Sequence, residues 1–310
     1  MNLIESSVGL IDIKNPFMKI EKVGRTCYKS TSEMTEDTAR KFYKSLVERQ
    51  HTAMLEHATF VFQVSENMYD ALYGHKFLNY SVEEFGMGRE SRYIISGNLR
   101  AINEIGELSL LSCLYEIDPD LVYNPDFKEH ASRYRYSEHQ IKVIDIDQIL
   151  DIQPHAYRKH KYLSFHFICD RGVSHEIVRH RPASYAQEST RYCNYSKDKF
   201  GSEITCIKPA DYDNWSDMSK AYYRQALISV ETAYLAMLGD NRTPQEARAV
   251  LPNTLKTEVI MTANCDEFEH FFNLRSRGTT GAPHPDMKVV ADKALQIYRN
   301  IPKPFEKCAR

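Results

Sequence analysis

Residues 179 to 192 carry the side chains best suited to chemistry in this 310-residue chain: Arg-His-Arg-Pro-Ala-Ser-Tyr-Ala-Gln-Glu-Ser-Thr-Arg-Tyr. Guanidinium groups contact phosphate in a bidentate manner, and hydroxyl and backbone N–H groups can donate to a second anion. We therefore interpret the segment as one that binds phosphate and orients a heterocycle. A charged surface turn is the alternative, because short basic runs are common on protein surfaces.

Two distant arginines extend this interpretation. Thr243-Pro-Gln-Glu246 is typical of a capping box with proline at the first helical position, so Arg248 should lie on a helix that ends before Pro252. Arg275 follows Phe268 by seven residues and should lie near the apolar stripe of its helix. An arginine near a buried face requires an anion or a carbonyl, which a ligand or a carboxylate at the rim of the core could supply.

Other chemistries fit the sequence less well. His175, Glu176 and His180 have the wrong spacing for a zinc-binding helix face, so we expect no metal, and a metal-dependent nucleotide hydrolase is disfavoured. The glycines of 86–88 lack the third glycine of a dinucleotide-binding turn. Cys193 follows the basic segment and could be an activated thiolate, but we favour an ordinary small residue there.

Composition limits the partners. Lys and Arg number 40 against 42 Asp and Glu, so no whole-molecule field attracts nucleic acid, and we expect none as a partner. A nucleic-acid-binding module remains the alternative, because 20 tyrosines could stack on bases. No stretch approaches the eighteen or so apolar residues of a membrane helix, and the N-terminus does not read as a signal peptide. Seven scattered cysteines indicate neither a disulfide framework nor a zinc ribbon, and a reducing cytoplasm fits best.

The elements that must position these residues follow from the spacing of apolar side chains. There is no internal repeat or low-complexity linker, which favours one compact unit with an insertion. Residues 118–140 are interpreted as irregular surface. The pattern predicts helices over 36–50, 173–178, 214–238 and 264–275, two more around 66–80 and 97–115, and strands over 58–64, 161–169 and 254–262.

Four elements of the sequence together resemble flavin-dependent thymidylate synthases, the ThyX family. Arg179-His180-Arg181, seven residues and then Ser189 resemble the family's signature. The other three elements are similar to its His-x-x-x-x-Glu-His, Ala-Arg-x-x-Leu-Pro and Asn-to-Leu-Arg segments, and they lie at 51–57, 247–252 and 264–275. The resemblance covers residues 10 to 64 and 160 to 300, and 66–158 looks like the extra segment of longer members.

The resemblance implies a fold, an activity and partners. The fold is α/β (α+β): a single domain over 1–310, with a mixed sheet flanked by helices and a family-variable insertion at about 66–158 between the first two core strands. The implied reaction is the reductive methylation of dUMP to dTMP. The carbon comes from 5,10-methylenetetrahydrofolate and the hydride from FADH2 that NADPH regenerates. A cytoplasmic homotetramer with active sites between subunits is also implied.

The resemblance also implies roles for individual residues. Arg275 would be catalytic, because a guanidinium at the uracil edge stabilises charge as N3 loses its proton and C5 becomes nucleophilic. The implied FAD contacts are Ala53, Arg179, His180, Arg181, Pro182, Gln187, Asn264, Cys265, Asp266 and His270. The implied dUMP contacts are Glu176, Arg179, Gln187, Glu188, Ser189, Thr190, Arg191, Arg248 and Arg275.

The chain also departs from the family pattern at four of its positions. Ala186 removes an amide, and Gln187 is neutral where the family often has a carboxylate. Glu176 stands where Gln is usual, and Asp266 stands where many members have Arg. These replacements are compatible with the implied reaction, but the resemblance does not fix the individual contacts of Glu176, Gln187 and Asp266.

Overall fold

The strands of the residues that the structure describes form two four-stranded antiparallel sheets and one parallel pair. The computed structural model describes residues 1–28, 33–85, 90–134, 137, 139–197 and 201–306. The sheet orders within these ranges are β4-β5-β3-β6, β2-β7-β10-β8 and β1-β9. The strands are β1 (Asn2–Ile4), β2 (Ser7–Leu10), β3 (Thr59–Val64), β4 (Asn79–Phe85), β5 (Glu90–Asn98), β6 (Ile141–Val143), β7 (Tyr162–Asp170), β8 (Ser184–Gln187), β9 (Thr205–Ile207) and β10 (Lys256–Asn264).

Helices flank these sheets, so the predicted α/β class is confirmed. The predicted single mixed sheet is wrong, because the strands of the described residues are divided among three sheets, and each of these is either wholly antiparallel or wholly parallel. None of the helices in the described ranges is long and apolar enough to cross a lipid bilayer. The α-helices are α1 (Pro16–Tyr28), α2 (Glu36–Glu48), α3 (Glu66–Leu72), α4 (Leu99–Ile105), α5 (Leu108–Ile117), α6 (Pro125–His130), α7 (Pro154–His160), α8 (Arg171–Ile177), α9 (Asp217–Gly239), α10 (Pro244–Ala247), α11 (Cys265–Arg275) and α12 (Pro285–Arg299).

Strand β10 is the centre of the sheet that carries the motif segment. It pairs with β7 over nine positions, from Lys256 opposite Asp170 to Asn264 opposite Tyr162, and its other edge pairs with β8. Both faces of β10 are buried. Val259 and Met261 belong to a core that includes helices α11 and α12, while Ile260 packs with Val23 of α1. The apolar run Val259–Met261 at the centre of this strand is the feature that made the strand predictable from the sequence.

The segment 66–158 differs most from the sequence predictions. The predicted helix 66–80 is wrong beyond Leu72, because Gly74 takes a positive φ of 97° and 79–85 then form strand β4. The predicted helix 97–115 is also wrong at its start and middle. Asn98 ends β5 and caps α4, and Gly106 at φ 71° separates α4 from α5.

The interpretation of 118–140 as irregular surface is wrong for its apolar residues. Leu121, Val122 and Phe127 are buried in a core cluster shared with α1, α2 and β3. Charged and aromatic residues dominate this tract, so its few buried positions gave no helical or strand period. The glycines at 86 and 88 and the cysteine at 308 lie outside the described residues.

Candidate functional site

Helix α8, the loop after it and strand β8 form the scaffold of the motif segment. Asp170 caps α8 by accepting from the backbone N–H of Val173 at 2.7 Å, and the helix ends at Ile177, before Pro182 as predicted. Tyr185 Oη lies 3.0 Å from the carbonyl oxygen of Ile177 and 2.6 Å from that of His180. This hydroxyl anchors the loop, so the Arg-His-Arg segment has a defined position.

Arg275, the last residue of α11, meets this loop. Its Nη1 donates to Glu176 Oε2 at 2.6 Å, its Nη2 to the carbonyl oxygen of Glu176 at 3.4 Å, and its Nε to His180 Nε2 at 3.3 Å. The guanidinium of Arg275 is therefore hydrogen-bonded to a carboxylate and a carbonyl of the protein. The sequence had left open whether protein groups or a ligand would satisfy it. These contacts connect two regions that the sequence predicted independently, the Arg-His-Arg segment and the helix that ends at Arg275.

A cavity of about 300 Å³ lies beside the Arg275 contacts. Two buried polar atoms at this cavity, His180 Nδ1 and Glu267 Oε1, have no hydrogen-bond partner among the described residues. They lie 3.6 Å apart. Buried polar groups without partners are costly and point to a missing partner. The lining residues are Arg179, His180, Arg181, Pro182, Glu267, His270, Leu274 and Arg275.

The same cavity holds a possible ligand set for a metal that sequence spacing did not find. Ligand atoms of His180, Glu267 and His270 lie within 4.8 Å of one another. However, Arg275 Nε–H donates to His180 Nε2, which assigns the proton of a neutral imidazole to Nδ1, the atom that faces Glu267. A protonated nitrogen cannot bind a metal, so this arrangement favours hydrogen bonding to an organic ligand.

A second cavity, of about 400 Å³, adjoins the first. Arg181 and Pro182 line both cavities, and Asn264 lines the second. Arg100 on its wall is paired with Glu56 at 2.8 Å. In contrast, the guanidinium groups of Arg179 and Arg181 form no ion pair with any described residue. The lining of the two cavities therefore includes two guanidinium groups that no described carboxylate neutralises.

A separate group of polar side chains follows strand β8. Arg248 Nη1 donates to Thr190 Oγ1 at 3.5 Å, and Arg191 Nε donates to Gln245 Oε1 at 2.9 Å. Neither guanidinium pairs with a carboxylate in the described ranges. The N–H of Arg191 lies 3.4 Å from Ser189 Oγ. Two cations, two hydroxyls and no neutralising carboxylate make a site for an anionic group.

The predicted capping box that positions Arg248 is confirmed. Glu246 Oε2 accepts from both the backbone N–H and the hydroxyl of Thr243, each at 2.9 Å. The predicted helix is shorter than expected, because α10 ends at Ala247 and Arg248 begins a 3-10 turn. The turn leaves the Arg248 side chain exposed beside Thr190.

Gln187 and Glu188 connect the two groups of arginines. Gln187 Nε2 donates to Ser174 Oγ of α8 at 2.9 Å, so the end of β8 lies against the helix that carries Glu176. Glu188 is buried and accepts from Lys256 Nζ at 2.7 Å and from Tyr195 Oη at 3.1 Å. Its carboxylate is thereby held in one orientation.

Four of the residues implied as flavin contacts do not line either cavity, namely Ala53, Gln187, Cys265 and Asp266. Ala53 is exposed on a 3-10 helix that spans Thr52–His57, and Asp266 is exposed and paired with Arg158 at 2.9 Å. Cys265 is buried in the core of the motif sheet, and burial raises the pKa of its thiol to about 12. Cys193 is also buried. Neither thiol has the exposure that a reactive cysteine requires.

Sequence reasoning missed three residues of the site: Gln245, Lys256 and Glu267. Gln245 had a signal, since it lies inside the capping box next to Arg248. Lys256 and Glu267 had none, because their partners Glu188 and His180 are distant in sequence and only the folding of β10 and α11 brings them together.

Comparison with known proteins places this geometry in context. The family model described as thymidylate synthase complementing protein matches residues 9–111 and 120–302. A flavin-dependent thymidylate synthase of Geobacter sulfurreducens is 32% identical over 131 residues, which cover 42% of this chain and 54% of that protein. One of Pyrococcus furiosus is 35% identical over 109 residues, covering 34% and 43%. The chain thus spans about half the length of the curated relatives that it matches.

Among solved structures, a UMP/dUMP methylase PolB from Streptomyces cacaoi, bound with 5-Br dUMP, aligns with 96% of this chain and 92% of its own. The sequence identity is 13% and the TM-score is 0.41. The same methylase bound with 5-Br UMP aligns with a TM-score of 0.43, also at 13% identity.

Proposed function

The chain belongs to the thymidylate synthase complementing protein family, and on that premise we propose that it is a flavin-dependent thymidylate synthase. The proposed reaction is the reductive methylation of dUMP to dTMP. Relatives that carry the name flavin-dependent thymidylate synthase support this proposal. Methylenetetrahydrofolate is the proposed carbon donor, and NADPH is the proposed source of reducing equivalents.

The proposal rests mainly on the contacts between Arg275 and the segment that contains Glu176 and His180. A guanidinium at the end of α11 contacts Glu176 and His180 beside a cavity, although the three residues come from two separate sequence elements. Placed against the uracil edge, Arg275 stabilises negative charge on the ring as N3 loses its proton. The contact with His180 fixes the direction in which the guanidinium points.

The two adjoining cavities fit FAD in charge and in unsatisfied polar groups. Arg179 and Arg181 would hold phosphate groups, because neither is neutralised by a described carboxylate. His180, Asn264 and His270 would provide polar contacts, and His180 Nδ1 is a buried atom in need of a partner. The bound flavin, in its reduced form, supplies the hydride. The chain's own residues bind, orient and polarise.

The polar group after β8 would hold the nucleotide phosphate. Ser189, Thr190, Arg191 and Arg248 combine two guanidinium groups with two hydroxyls. Gln187 and Glu188 would contact the remainder of dUMP between this group and Arg275, since Gln187 already contacts helix α8. Glu176 departs from the usual Gln of the family, and its carboxylate pairs with Arg275 in this structure.

Assembly, compartment and domain organisation complete the proposal. A homotetramer with sites shared between subunits would let exposed arginines of one chain meet a neighbouring chain. The thiols of Cys27, Cys169, Cys206 and Cys265 are free, as suits a reducing cytoplasm. A single domain over 1–310 is supported by the core that residues of α1 and α2 share with the segment 66–158. That this segment varies in the family stays a prediction.

The test is dTMP formation by the purified full-length protein. With dUMP, methylenetetrahydrofolate, FAD and NADPH present, dTMP should accumulate. Omission of dUMP, methylenetetrahydrofolate or NADPH, or removal of the bound FAD, should abolish it. Absence of dTMP from a folded, FAD-loaded protein would overturn the assignment. Tight, salt-independent binding of dUMP would further separate this enzyme from a nucleic-acid-binding module, whose affinity depends strongly on salt.

A further inference from the structure

A third cavity, of about 620 Å³, lies apart from the proposed flavin and dUMP residues. Its walls come from both four-stranded sheets, namely from the ends of β2, β3, β6 and β7, and from the start of α1. It shares only Tyr162 with the lining of the 400 Å³ cavity. We call it the Lys19 cleft. Its volume lies within the range of small-molecule sites, which is roughly 300–1,000 Å³.

Among the charged residues that line the Lys19 cleft, only Lys19 and the exposed Asp12 form no ion pair with a described residue. Lys14 pairs with Asp145 at 3.2 Å, and Lys161 pairs with Asp147. Lys19 Nζ has no hydrogen-bond or ion-pair partner among the described residues, although the side chain is partly buried. An ammonium group that is partly removed from water and contacts no anion is unfavourable. An anion that binds next to Lys19 Nζ would therefore stabilise this charge.

The surroundings of Lys19 agree with this reading. Burial, and secondly the charge of Lys161, lower the pKa of Lys19 to about 8, while Asp12 opposes this effect. An anion placed against the amine would reverse the effect and stabilise its protonated form. His160 also lines the cleft, but both of its ring nitrogens contact serine hydroxyls, those of Ser81 and Ser96. Burial lowers the pKa of His160 to about 3, which keeps it neutral. Lys19 is therefore the group that an anionic ligand would meet.

The other residues that line the cleft determine which kind of anionic ligand would fit. Phe60, Val61, Ile144, Leu163 and Ile301 provide apolar surface along the cleft. Three carboxylates, those of Asp12, Asp145 and Asp147, also line it, and they would repel a second negative charge. The site thus suits one negative charge on an apolar body and disfavours a dianionic phosphate.

We propose that the Lys19 cleft binds a small monocarboxylate with an aromatic or aliphatic body, and that its carboxylate pairs with Lys19 Nζ. None of the residues assigned to flavin or dUMP lines the cleft, so this site is additional to the proposed function. Ligand binding to this cleft can be measured directly, whether or not the protein turns over dUMP.

The test uses three probes that share one ring system: 2-naphthoate, 2-naphthamide and 2-naphthyl phosphate. Calorimetric titration of the full-length protein should give a dissociation constant for naphthoate at least tenfold lower than for either of the other two, because only naphthoate offers a single full charge. Lys19→Met should weaken naphthoate binding at least tenfold, since it removes a charge-assisted hydrogen bond. Lys14→Met, at the exposed rim of the same cleft, should change it less than twofold.

Several results would overturn the proposal: no naphthoate binding, equal binding of the amide, tighter binding of the phosphate, or unchanged binding by Lys19→Met. If Lys19→Met does not fold, amine labelling of the wild-type protein followed by mass spectrometry decides instead. Naphthoate should protect Lys19 at least fivefold and leave Lys22, exposed on the same helix, unprotected. Equal labelling of Lys19 with and without naphthoate would also reject the site.

Discussion

We expect removal of the Arg275 side chain to reduce turnover strongly without unfolding the protein. Arg275→Ala eliminates the contacts to Glu176 and His180 and leaves the Glu176 carboxylate unpaired. The side chains of Arg275 and Glu176 are 22% and 31% exposed, so water can solvate the abandoned carboxylate. A partly exposed pair of this kind contributes about 1 kcal/mol to stability, and the variant should fold and retain FAD.

The effect on turnover should be much larger. If the guanidinium stabilises charge that develops on the uracil ring, its loss resembles the loss of one preorganised donor, which costs about 2.7–4 kcal/mol in the transition state. That corresponds to a fall in kcat of about 100- to 1,000-fold. The KM for dUMP should rise far less than kcat falls, because the phosphate contacts remain.

The assay is steady-state dTMP formation, with bound flavin and urea unfolding measured on the same samples. Arg277→Ala is the matched control, since Arg277 follows the same helix and pairs with Glu269 at 2.9 Å away from the cavity. It should keep kcat within threefold of the wild type. A folded, flavin-loaded Arg275→Ala protein with kcat as high as this control would refute the catalytic role of Arg275.

Three further predictions address binding, stability and pH. Arg248→Ala should raise the KM for dUMP about tenfold or more, because a charged hydrogen bond contributes about 1.5–3 kcal/mol, whereas exposed Arg242→Ala should not; equal KM values would remove Arg248 from the phosphate site. Lys256→Met should lower the free energy of unfolding in urea by about 3–5 kcal/mol, because two carboxylates 2.7 Å from Nζ lose the ammonium group that neutralises them; a loss below 1 kcal/mol would contradict this network. Burial lowers the pKa of His160 to about 3, so the stability that it contributes is present above pH 6.5 and is lost as the pH falls towards 3. His160→Gln should therefore reduce the slope of unfolding free energy against pH by about 1.4 kcal/mol per unit between those limits, and an unchanged slope would count against a neutral buried imidazole.

Local signals in the sequence predicted the parts of the site that depend on neighbouring residues. The capping box at 243–246 fixes the start of α10, because its donors and acceptors lie three residues apart. The apolar stripe of 264–275 predicted α11 and the position of Arg275 near its buried face. Pro182 predicted for a similarly local reason that the chain has left the helix near Arg181, because proline restricts the residue before it. The helix α8 ends earlier, at Ile177, so Pro182 does not fix its end.

The sequence did not predict contacts between segments that lie far apart in the chain. Glu176, rather than a ligand, satisfies Arg275 in this structure, and Lys256 orients Glu188 across paired strands. The segment 66–158 was mistaken for helices and surface because Gly74 and Gly106 interrupt patterns that look helical. Its strands β5 and β6 pair with β3, and β4 pairs with β5. A period along the chain does not encode these strand pairings.

The central claim, that this chain methylates dUMP with a reduced flavin, is tested most directly in one turnover. The yellow, FAD-loaded protein would be bleached with NADPH under anaerobic conditions, freed of excess NADPH and mixed with dUMP and methylenetetrahydrofolate. The proposed function predicts that the oxidised-flavin spectrum returns and that one dTMP forms for each flavin reoxidised. A flavin that stays reduced in the presence of both substrates, or one that is reoxidised without dTMP, would contradict it.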